Sequence, residues 1–391
     1  MDNFRLYTPT EIVFGKDAEL QIGDLLKQYK ATRVFIHYGG GSVIRSGLLD
    51  RIKAILDREK ISHFELGGAL PNPRSGLVYE GIELCRNEGA DFVLAVGGGS
   101  AIDSAKAIAA GVKYAGDFWD FYIGKATIQD ALPIGVVLTI PAAGSEASQS
   151  AVITQERGMF KRGLVSRYYR PAFSIINPEL AYTLPRYHLF AGVADMMSHI
   201  FERYLTKTKN VILTDRMSEA VLKSIIEAAR VIKDDPQNYE AMATIFWSGT
   251  IAHNGILGVG REEDWSSHFL EHELSAYYDV SHGAGLAVVF PAFMEYTIDV
   301  DPNRYKRLAT KVFGVDENDG DARKIGLKGI MRLKEFYKGL GLPVTFADLG
   351  AKKEDIDIIV EKLRQNRGEA IGNFKRLSME DAKNIFLLAA R

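Results

Sequence analysis

The sequence predicts an α/β domain with a parallel sheet at residues 1–185 and an all-helical domain at residues 186–391. In the first half, short apolar runs alternate with amphipathic helical patterns, and several runs end in loops of small residues. From about residue 188 onward, only long amphipathic patterns occur. A chain of 391 residues is long enough for two domains with separate hydrophobic cores.

The apolar runs of the first domain have the length expected of buried strands. Helical patterns connect them, and such alternation of strand and helix predicts a parallel sheet covered on both faces. The predicted strands are at about residues 11–14, 33–37, 62–66, 92–96, 135–138, 151–154 and 173–176.

The second domain is predicted from amphipathic periodicity, because apolar residues recur there at helical spacing over long stretches. No strand pattern interrupts them. The predicted helices are at about residues 191–205, 214–232, 239–253, 265–277, 286–297, 304–313, 323–339, 353–364 and 379–390.

Composition excludes several classes of protein. The net charge is −2 and no basic stripe occurs, so we expect no nucleic-acid partner and no anionic-membrane partner. The N-terminus carries no basic region followed by an apolar run. Cys85 is the single cysteine, which excludes a disulfide framework and a thiolate zinc site. We therefore expect a cytoplasmic protein that does not span a membrane.

The loop Gly97-Gly98-Gly99-Ser100 stands between a predicted buried strand and a predicted helix. Without Cβ atoms the backbone can approach a ligand closely, and the amides at the helix start favour an anion such as a diphosphate. The loop lacks the Gly-x-Gly-x-x-Gly dinucleotide fingerprint, and a tight turn is the alternative interpretation. Asp103 could accept a ribose hydroxyl or complement the helix dipole.

Three further loops of small or polar residues follow predicted strands: 38–42, 71–73 and 139–146. Together with residues 97–100 they fit a nucleotide lying across one sheet edge. The strand before Tyr38-Gly39-Gly40-Gly41-Ser42 ends without a carboxylate. A carboxylate at that position would repel a 2′-phosphate. This loop therefore favours NADP(H) over NAD(H), although it could also be a simple turn.

Three of the eight histidines lie within residues 268–282. His268 and His272 are four residues apart on a predicted helix, and His282 follows that helix where a loop could fold it back. Asp195 and His199 have the same spacing on another predicted helix. This pattern offers Asp195, His199, His268 and His282 as ligands, with His272 beside them. Nitrogen and carboxylate donors without thiolates suit Fe²⁺, Zn²⁺ or Ni²⁺.

These motifs resemble those of the iron-containing (group III) alcohol dehydrogenases, in particular the NAD(P)-dependent butanol dehydrogenases. The resemblance covers nearly the whole chain. Its most specific parts are Gly97-Gly-Gly-Ser-x-x-Asp103-x-Ala-Lys106, Ala143-Gly144-Ser145-Glu146, Asp195-x-x-x-His199, and His268-x-x-x-His272 followed by His282.

The resemblance implies one metal ion, with Fe²⁺ favoured, held by Asp195, His199, His268 and His282. It also implies that His272 is the active-site histidine that does not bind the metal. Many members have Ala-Thr-Gly where this chain has Ala142-Ala143-Gly144, so one hydroxyl is missing from that loop. The residues predicted at the cofactor are Tyr38, Gly40, Gly41, Ser42, Asn72, Gly97, Gly98, Gly99, Ser100, Asp103, Thr139, Ser145 and Lys161. Lys161 lies in residues 155–162, a segment predicted to be irregular, and Arg162 is the alternative to Lys161 as the basic residue that reaches the cofactor.

The implied activity is a metal-dependent, NAD(P)(H)-linked alcohol dehydrogenase or aldehyde reductase acting on short-chain primary alcohols and aldehydes such as butanol and butanal. A homodimer is expected. The alternatives are a glycerol dehydrogenase-like polyol oxidoreductase, a lyase similar to dehydroquinate synthase, and a nucleotide-binding module without catalysis, which would leave the aspartate and histidines unexplained. The remaining histidines are predicted to be structural: His37, His63, His188 and His253.

Overall fold

The computed structural model describes residues 1–391. The chain forms two compact units, one of residues Tyr7–Thr183 and one of Leu184–Arg391 together with Met1–Leu6. The first unit is α/β and the second is chiefly helical, as predicted. We propose that the two folding domains are residues 1–185 and 186–391.

The first unit contains eight strands and six α-helices. In chain order they are β1 (Glu11–Phe14), α1 (Ile22–Gln28), β2 (Arg33–Gly39), α2 (Ser42–Arg45), α3 (Leu48–Arg58), β3 (Ser62–Ala69), α4 (Ser75–Glu88), β4 (Phe92–Gly97), α5 (Gly99–Val112), α6 (Trp119–Tyr122), β5 (Ile134–Leu138), β6 (Ser150–Gln155), β7 (Phe160–Val165) and β8 (Phe173–Ile176).

Six strands form one parallel sheet in the order β1-β8-β5-β4-β2-β3. Strands β4, β5 and β8 are buried along their whole length, as expected for a parallel sheet with both faces covered. After β2 the chain moves to β3 on one side, and after β4 it moves to β5 on the other. The carboxyl ends of β2 and β4 therefore flank a switch in direction, where open α/β sheets bind ligands.

The remaining two strands correct the prediction for residues 151–162. β6 and β7 pair antiparallel in a separate hairpin, so the predicted strand at 151–154 is not part of the main sheet. The segment predicted to be irregular, residues 155–162, contains the last residue of β6, the whole turn and the start of β7. Gly158 and Met159 both have positive φ, of 88° and 53°, and form the turn. Charged and glycine residues hide the strand pattern of residues 160–165, because only one face of the hairpin is buried.

The second unit contains ten α-helices and one small pair of strands. They are α7 (Arg186–Tyr204), α8 (Ile212–Asp234), α9 (Tyr239–His253), α10 (Ser266–Tyr278), α11 (His282–Thr297), α12 (Pro302–Lys311), α13 (Ala322–Gly339), α14 (Phe346–Leu349), α15 (Ile356–Arg367), β9 (Ala370–Ile371), β10 (Leu377–Ser378) and α16 (Met379–Ala389). The two-residue strands β9 and β10 are the one departure from the predicted all-helical domain.

The sequence predicts that His282 lies in a loop that folds back. In the structure, His282 is instead the first residue of α11. The connection from α10 is only three residues long, and Asp279 takes a left-handed conformation with φ of 53° that ends α10. The short turn brings the start of α11 back beside α10. Residues His282–Val300 are long and apolar enough to cross a membrane by length and composition, but 78% of that window is buried inside the protein, as in a core helix.

Helix α11 packs against α7 and α10 through two glycines. A Cβ atom at Gly283 would overlap the carbonyl oxygen of Ala191 on α7. A Cβ at Gly285 would lie 2.6 Å from the Oε1 atom of Glu271 on α10. The absence of side chains at these two positions therefore sets how closely the three helices approach.

We expect Gly283→Ala to push α11 away from α7, because backbone rather than a flexible side chain occupies the required space. The substitution should lower the free energy of unfolding by about 1–3 kcal/mol or more, as overpacking does. Urea unfolding of the metal-free protein measures this change.

Gly339→Ala is the matched control, since Gly339 also lies in a helix but a Cβ there would meet nothing within 4 Å. Equal stability of the two variants would show that the contact between Gly283 and Ala191 does not constrain the packing.

Candidate active site

Two helices and the start of a third bring the four predicted metal ligands together. The side-chain ligand atoms of Asp195, His268 and His282 all lie within 4.8 Å of one another. The Nε2 atom of His199 is 3.6 Å from Oδ1 of Asp195, one turn earlier on α7. Asp195, His199 and His268 are each at most 5% exposed, whereas the His282 side chain is 24% exposed.

Two buried glutamates orient two of the histidines. The Nδ1 atom of His268 lies 2.7 Å from Oε1 of Glu202, and Nδ1 of His282 contacts Oε2 of Glu271. When each Nδ1–H donates to a carboxylate, Nε2 is the ring nitrogen that can bind a metal. The Nε2 atom of His282 is 3.8 Å from Oδ1 of Asp195. A carboxylate behind a histidine is the usual second layer of a metal site.

Burial changes the protonation of these groups, in the direction that metal binding requires for His199 and against it for Glu202. It holds the pKa of His199 well below its usual value, so this imidazole is neutral and can bind a cation. Burial also raises the pKa of Glu202 well above its usual value, although the backbone N–H groups of Trp265 and His268 donate to it and oppose the shift. A cation beside His268 would favour the charged carboxylate.

The donor set fits a divalent ion. It consists of imidazole nitrogens and one carboxylate oxygen, without sulfur, which suits Fe²⁺, Zn²⁺ or Ni²⁺. Glu271, His272 and His282 form a second group whose ligand atoms lie within 4.8 Å of one another. The two groups share His282, so they are alternatives. The first is the better fit because His199 adds a fourth donor to it, and because Glu271 in the second is already engaged by His282.

His272 lies beside the four predicted ligands. Its ring centre is 5.5 Å from that of His282 and 6.5 Å from that of His268, and the residue is 5% exposed. The centre of the half-buried Phe269 ring lies 6.4 Å from that of His272. The helical spacing that predicted a common face for His268 and His272 is confirmed.

The glycine loops lie at the carboxyl ends of β2 and β4, next to the switch in strand direction. Gly97 has φ of 156°, and a Cβ atom there would lie 2.9 Å from Cβ of Ala101. Thr139, at the end of β5, donates its N–H to the Gly97 carbonyl over 3.0 Å. The structure therefore brings the predicted loops at Gly40–Ser42, Gly97–Ser100 and Thr139 to the same sheet edge.

Asp103 and Lys106 hold the loop that contains Ser145. Asp103 accepts hydrogen bonds from the Ser145 hydroxyl, over 2.6 Å, and from the Val152 N–H, over 2.8 Å. Lys106 is fully buried and donates to the carbonyl and hydroxyl of Ser145 and to the Ser150 carbonyl, over 2.7–2.9 Å. Burial lowers the pKa of Lys106 to about 8, so it stays charged at neutral pH. Asp103 thus braces this loop rather than complementing the first turn of α5.

Lys161 and Asn72, both predicted at the cofactor, contact each other. The Lys161 ammonium donates to the Asn72 side-chain oxygen over 2.9 Å, and both side chains are buried. Arg162, the alternative to Lys161, instead places its guanidinium 5.8 Å from the centre of the Phe160 ring. Lys161 is therefore the basic residue that lies beside the Asn72 loop.

Sequence reasoning missed the glutamates that orient the histidines and the role of Lys106. A signal was present, because Glu202 is three residues after His199 and Glu271 is three residues after His268. These spacings put each glutamate on the ligand face of its own helix. In each case the histidine that the glutamate orients belongs to another helix, and spacing alone does not identify it.

Comparison with known families identifies the family to which the chain belongs. The model of the iron-containing alcohol dehydrogenase family matches residues 9–178, and the C-terminal model of the Fe-containing alcohol dehydrogenase family matches residues 190–390. The chain belongs to the iron-containing alcohol dehydrogenase family.

Individual relatives match over the full chain. The probable NADH-dependent butanol dehydrogenase 2 of Bacillus subtilis is 44% identical, over 97% of this chain and 98% of that protein. The NADPH-dependent aldehyde reductase YqhD of Escherichia coli is 34% identical, over 99% of both. The crystal structure of NADH-dependent butanol dehydrogenase A from Thermotoga maritima is 40% identical and has a TM-score of 0.97, covering 100% of this chain and 99% of that one.

The predicted family, fold class and enzyme class are confirmed. This iron-containing alcohol dehydrogenase is a metal-dependent oxidoreductase that uses a nicotinamide cofactor to interconvert alcohols and aldehydes. The two non-dehydrogenase alternatives, the lyase and the module without catalysis, are therefore set aside.

We expect Glu271→Gln to weaken metal binding about 10- to 100-fold, as loss of a group behind a ligand does. Glutamine keeps an oxygen that can accept from His282, but it removes the negative charge. Chelator competition with the purified protein measures the affinity.

Glu273→Gln is the control, because Glu273 is equally buried on α10 but accepts from Asn366 over 2.7 Å. Similar losses of affinity in both variants would mean that burial of charge, rather than orientation of His282, explains the effect.

Proposed function

We propose that this enzyme interconverts short-chain primary alcohols and aldehydes, such as butanol and butanal. The observation that carries the proposal is the convergence of Asp195, His199, His268 and His282, with two of the histidines backed by carboxylates. Relatives named butanol dehydrogenases and an aldehyde reductase support this substrate class. A polyol substrate, as in glycerol dehydrogenases, is the alternative.

We propose those four residues as the metal ligands, and Fe²⁺ as the metal, with Zn²⁺ or Ni²⁺ as alternatives. When bound, a divalent ion supplies Lewis-acid polarisation of the substrate oxygen, and the nicotinamide supplies hydride exchange. Glu202 and Glu271 hold His268 and His282 in the tautomer that binds metal. The protein thus contributes a pre-oriented set of donors.

We propose His272 as the group that accepts the alcohol proton and returns it to the alkoxide in the reverse direction. An imidazole can accept and donate a proton at the same ring nitrogen, so it can carry a proton in both directions. The ring lies next to the proposed ligands His268 and His282.

We propose that the dinucleotide is NADP(H) and lies across the sheet edge formed by the predicted loops. Strand β2 ends at Gly39 without a carboxylate, and the guanidinium of Arg45 lies 2.8 Å from where a Cβ of Gly41 would be. A cation there suits a 2′-phosphate. Relatives of both kinds occur, since the butanol dehydrogenases are named as NADH-dependent and YqhD as NADPH-dependent. The proposed contacts are Tyr38, Gly40, Gly41, Ser42, Asn72, Gly97, Gly98, Gly99, Ser100, Asp103, Thr139, Ser145 and Lys161.

We further propose that the enzyme works as a homodimer in the cytoplasm. The single cysteine, Cys85, is buried and free, which suits a reducing compartment. Both statements stay predictions.

Rates of NADPH and NADH oxidation with C2 to C6 aldehydes, using apo protein reloaded in turn with Fe²⁺, Zn²⁺ and Ni²⁺, test this function. We expect butanal to be reduced, with a lower KM for NADPH than for NADH and the highest rate with Fe²⁺. No rate with any combination would defeat the substrate assignment, and a lower KM for NADH would defeat the cofactor assignment alone.

His272→Ala should lower kcat about 100-fold or more, as expected when a general acid or base is removed, while metal content stays near that of the wild type. His188→Ala, at an exposed histidine near the start of α7, is the control and should leave both unchanged. Loss of metal from the His272 variant would instead make His272 a ligand, as the group Glu271, His272 and His282 would require.

A further inference from the structure

His253, the last residue of α9, lies flat against His199. The two ring centres are 4.1 Å apart and the ring planes differ by 18°. On its other face His199 stacks on His268, at 4.9 Å and 10°. The three imidazoles therefore form a column with His199 in the middle. Trp265 packs against His253 in an edge-to-face arrangement, with centres 5.7 Å apart and an angle of 76°.

Arg203 holds His253 in place. Its Nη2 atom lies 3.1 Å from Nδ1 of His253, and its Nη1 donates to the His199 carbonyl over 2.7 Å. Arg203 is 3% exposed, and its guanidinium pairs with Glu263 over 3.1 Å and lies 4.8 Å above the Trp265 ring. A guanidinium has no acceptor, so Nδ1 of His253 must accept and the proton of this imidazole lies on Nε2. The orientation of the His253 ring is thus fixed.

His199 differs from the other two histidine ligands in how it is supported. His268 and His282 are held at Nδ1 by Glu202 and Glu271. The Nδ1 atom of His199 is buried and has no hydrogen-bond partner. A ligand without a partner on its second nitrogen lacks the usual restraint on rotation of its ring. The stacked rings on its two faces supply a restraint of a different kind.

We propose that His253 is a positioning residue whose ring, stacked on His199, fixes the ring of His199 for metal binding. It does not itself bind the metal, and this role replaces the carboxylate that supports the other two histidines. The inference rests on the proposed metal site. It replaces the expectation that His253 is merely structural.

Three substitutions separate the ring from the hydrogen bond. His253→Phe keeps a ring for stacking but removes the acceptor for Arg203. His253→Asn keeps an acceptor near the position of Nδ1 but removes the ring. His253→Leu removes both. Co²⁺ and Zn²⁺ affinities by chelator competition, the visible spectrum of the Co²⁺ form, and thermal unfolding of the metal-free protein are measured for each variant.

We expect His253→Leu and His253→Asn to bind both ions about 10-fold or more weakly, in line with other groups behind metal ligands, and to change the Co²⁺ spectrum. His253→Phe should bind within about 3-fold of the wild type and keep its spectrum, because stacking rather than charge provides the restraint. If His253→Leu does not fold, the comparison of the Asn and Phe variants carries the same test.

Wild-type affinity and spectrum in the Leu or Asn variant would overturn the proposal, as would a Phe variant as weak as the Leu variant. Losses of affinity that merely follow the loss of unfolding temperature in the metal-free variants would also overturn it, because a structural role predicts that result. Asp195→Asn, which changes a proposed ligand itself, is the reference for the loss of affinity. If the wild-type protein binds neither ion, the metal site itself fails, whereas tight wild-type binding with no effect at His253 defeats this inference alone.

Discussion

The close approach of α11 to α7 and α10 is the constraint on which the rest of the metal site depends. Gly283 brings backbone against the Ala191 carbonyl, and Gly285 leaves room for the Glu271 side chain. His282 immediately precedes this contact, so the packing of two helix backbones places its ring beside Asp195. Side-chain flexibility alone could not compensate for a shift of α11, because an imidazole has a short reach. The ligand geometry is therefore a consequence of core packing.

Burial of charge is the second constraint. Glu202 and Glu271 are removed from water, which is unfavourable for isolated carboxylates. Each is stabilised by donors that the fold supplies: ring N–H groups in both cases, and two backbone N–H groups for Glu202. A divalent cation held by the same histidines, as we propose, would offset the remaining cost. The metal site and the buried acids thus stabilise each other, which is why neither could be assigned from local sequence alone.

Local patterns in the sequence predicted most of the fold, and they failed where tertiary contacts decide. Strand and helix periodicity predicted the sheet, and four-residue spacing predicted the pairing of Asp195 with His199. The β6–β7 hairpin was missed because residues 160–165 mix charged, glycine and apolar residues on a half-exposed strand. The sequence places Lys106 on a predicted helix and shows nothing more. Its role in holding the Ser145 loop depends on hydrogen bonds to oxygens about 40 residues later in the chain. Likewise, nothing in the spacing of His253 indicates that it stacks on His199.

The unequal burial of the ligands determines where the substrate can enter. Asp195, His199 and His268 are almost completely buried, and the column of rings closes the side toward α9. His282 is the one ligand with appreciable exposure. The exposure of His282 therefore favours approach of a small molecule to the proposed metal from the His282 side, and the ring centre of His272 is 5.5 Å from that of His282. His282 and His199 also differ in how they are held: the exposed ring of His282 contacts a carboxylate, whereas the buried ring of His199 lies against two other rings.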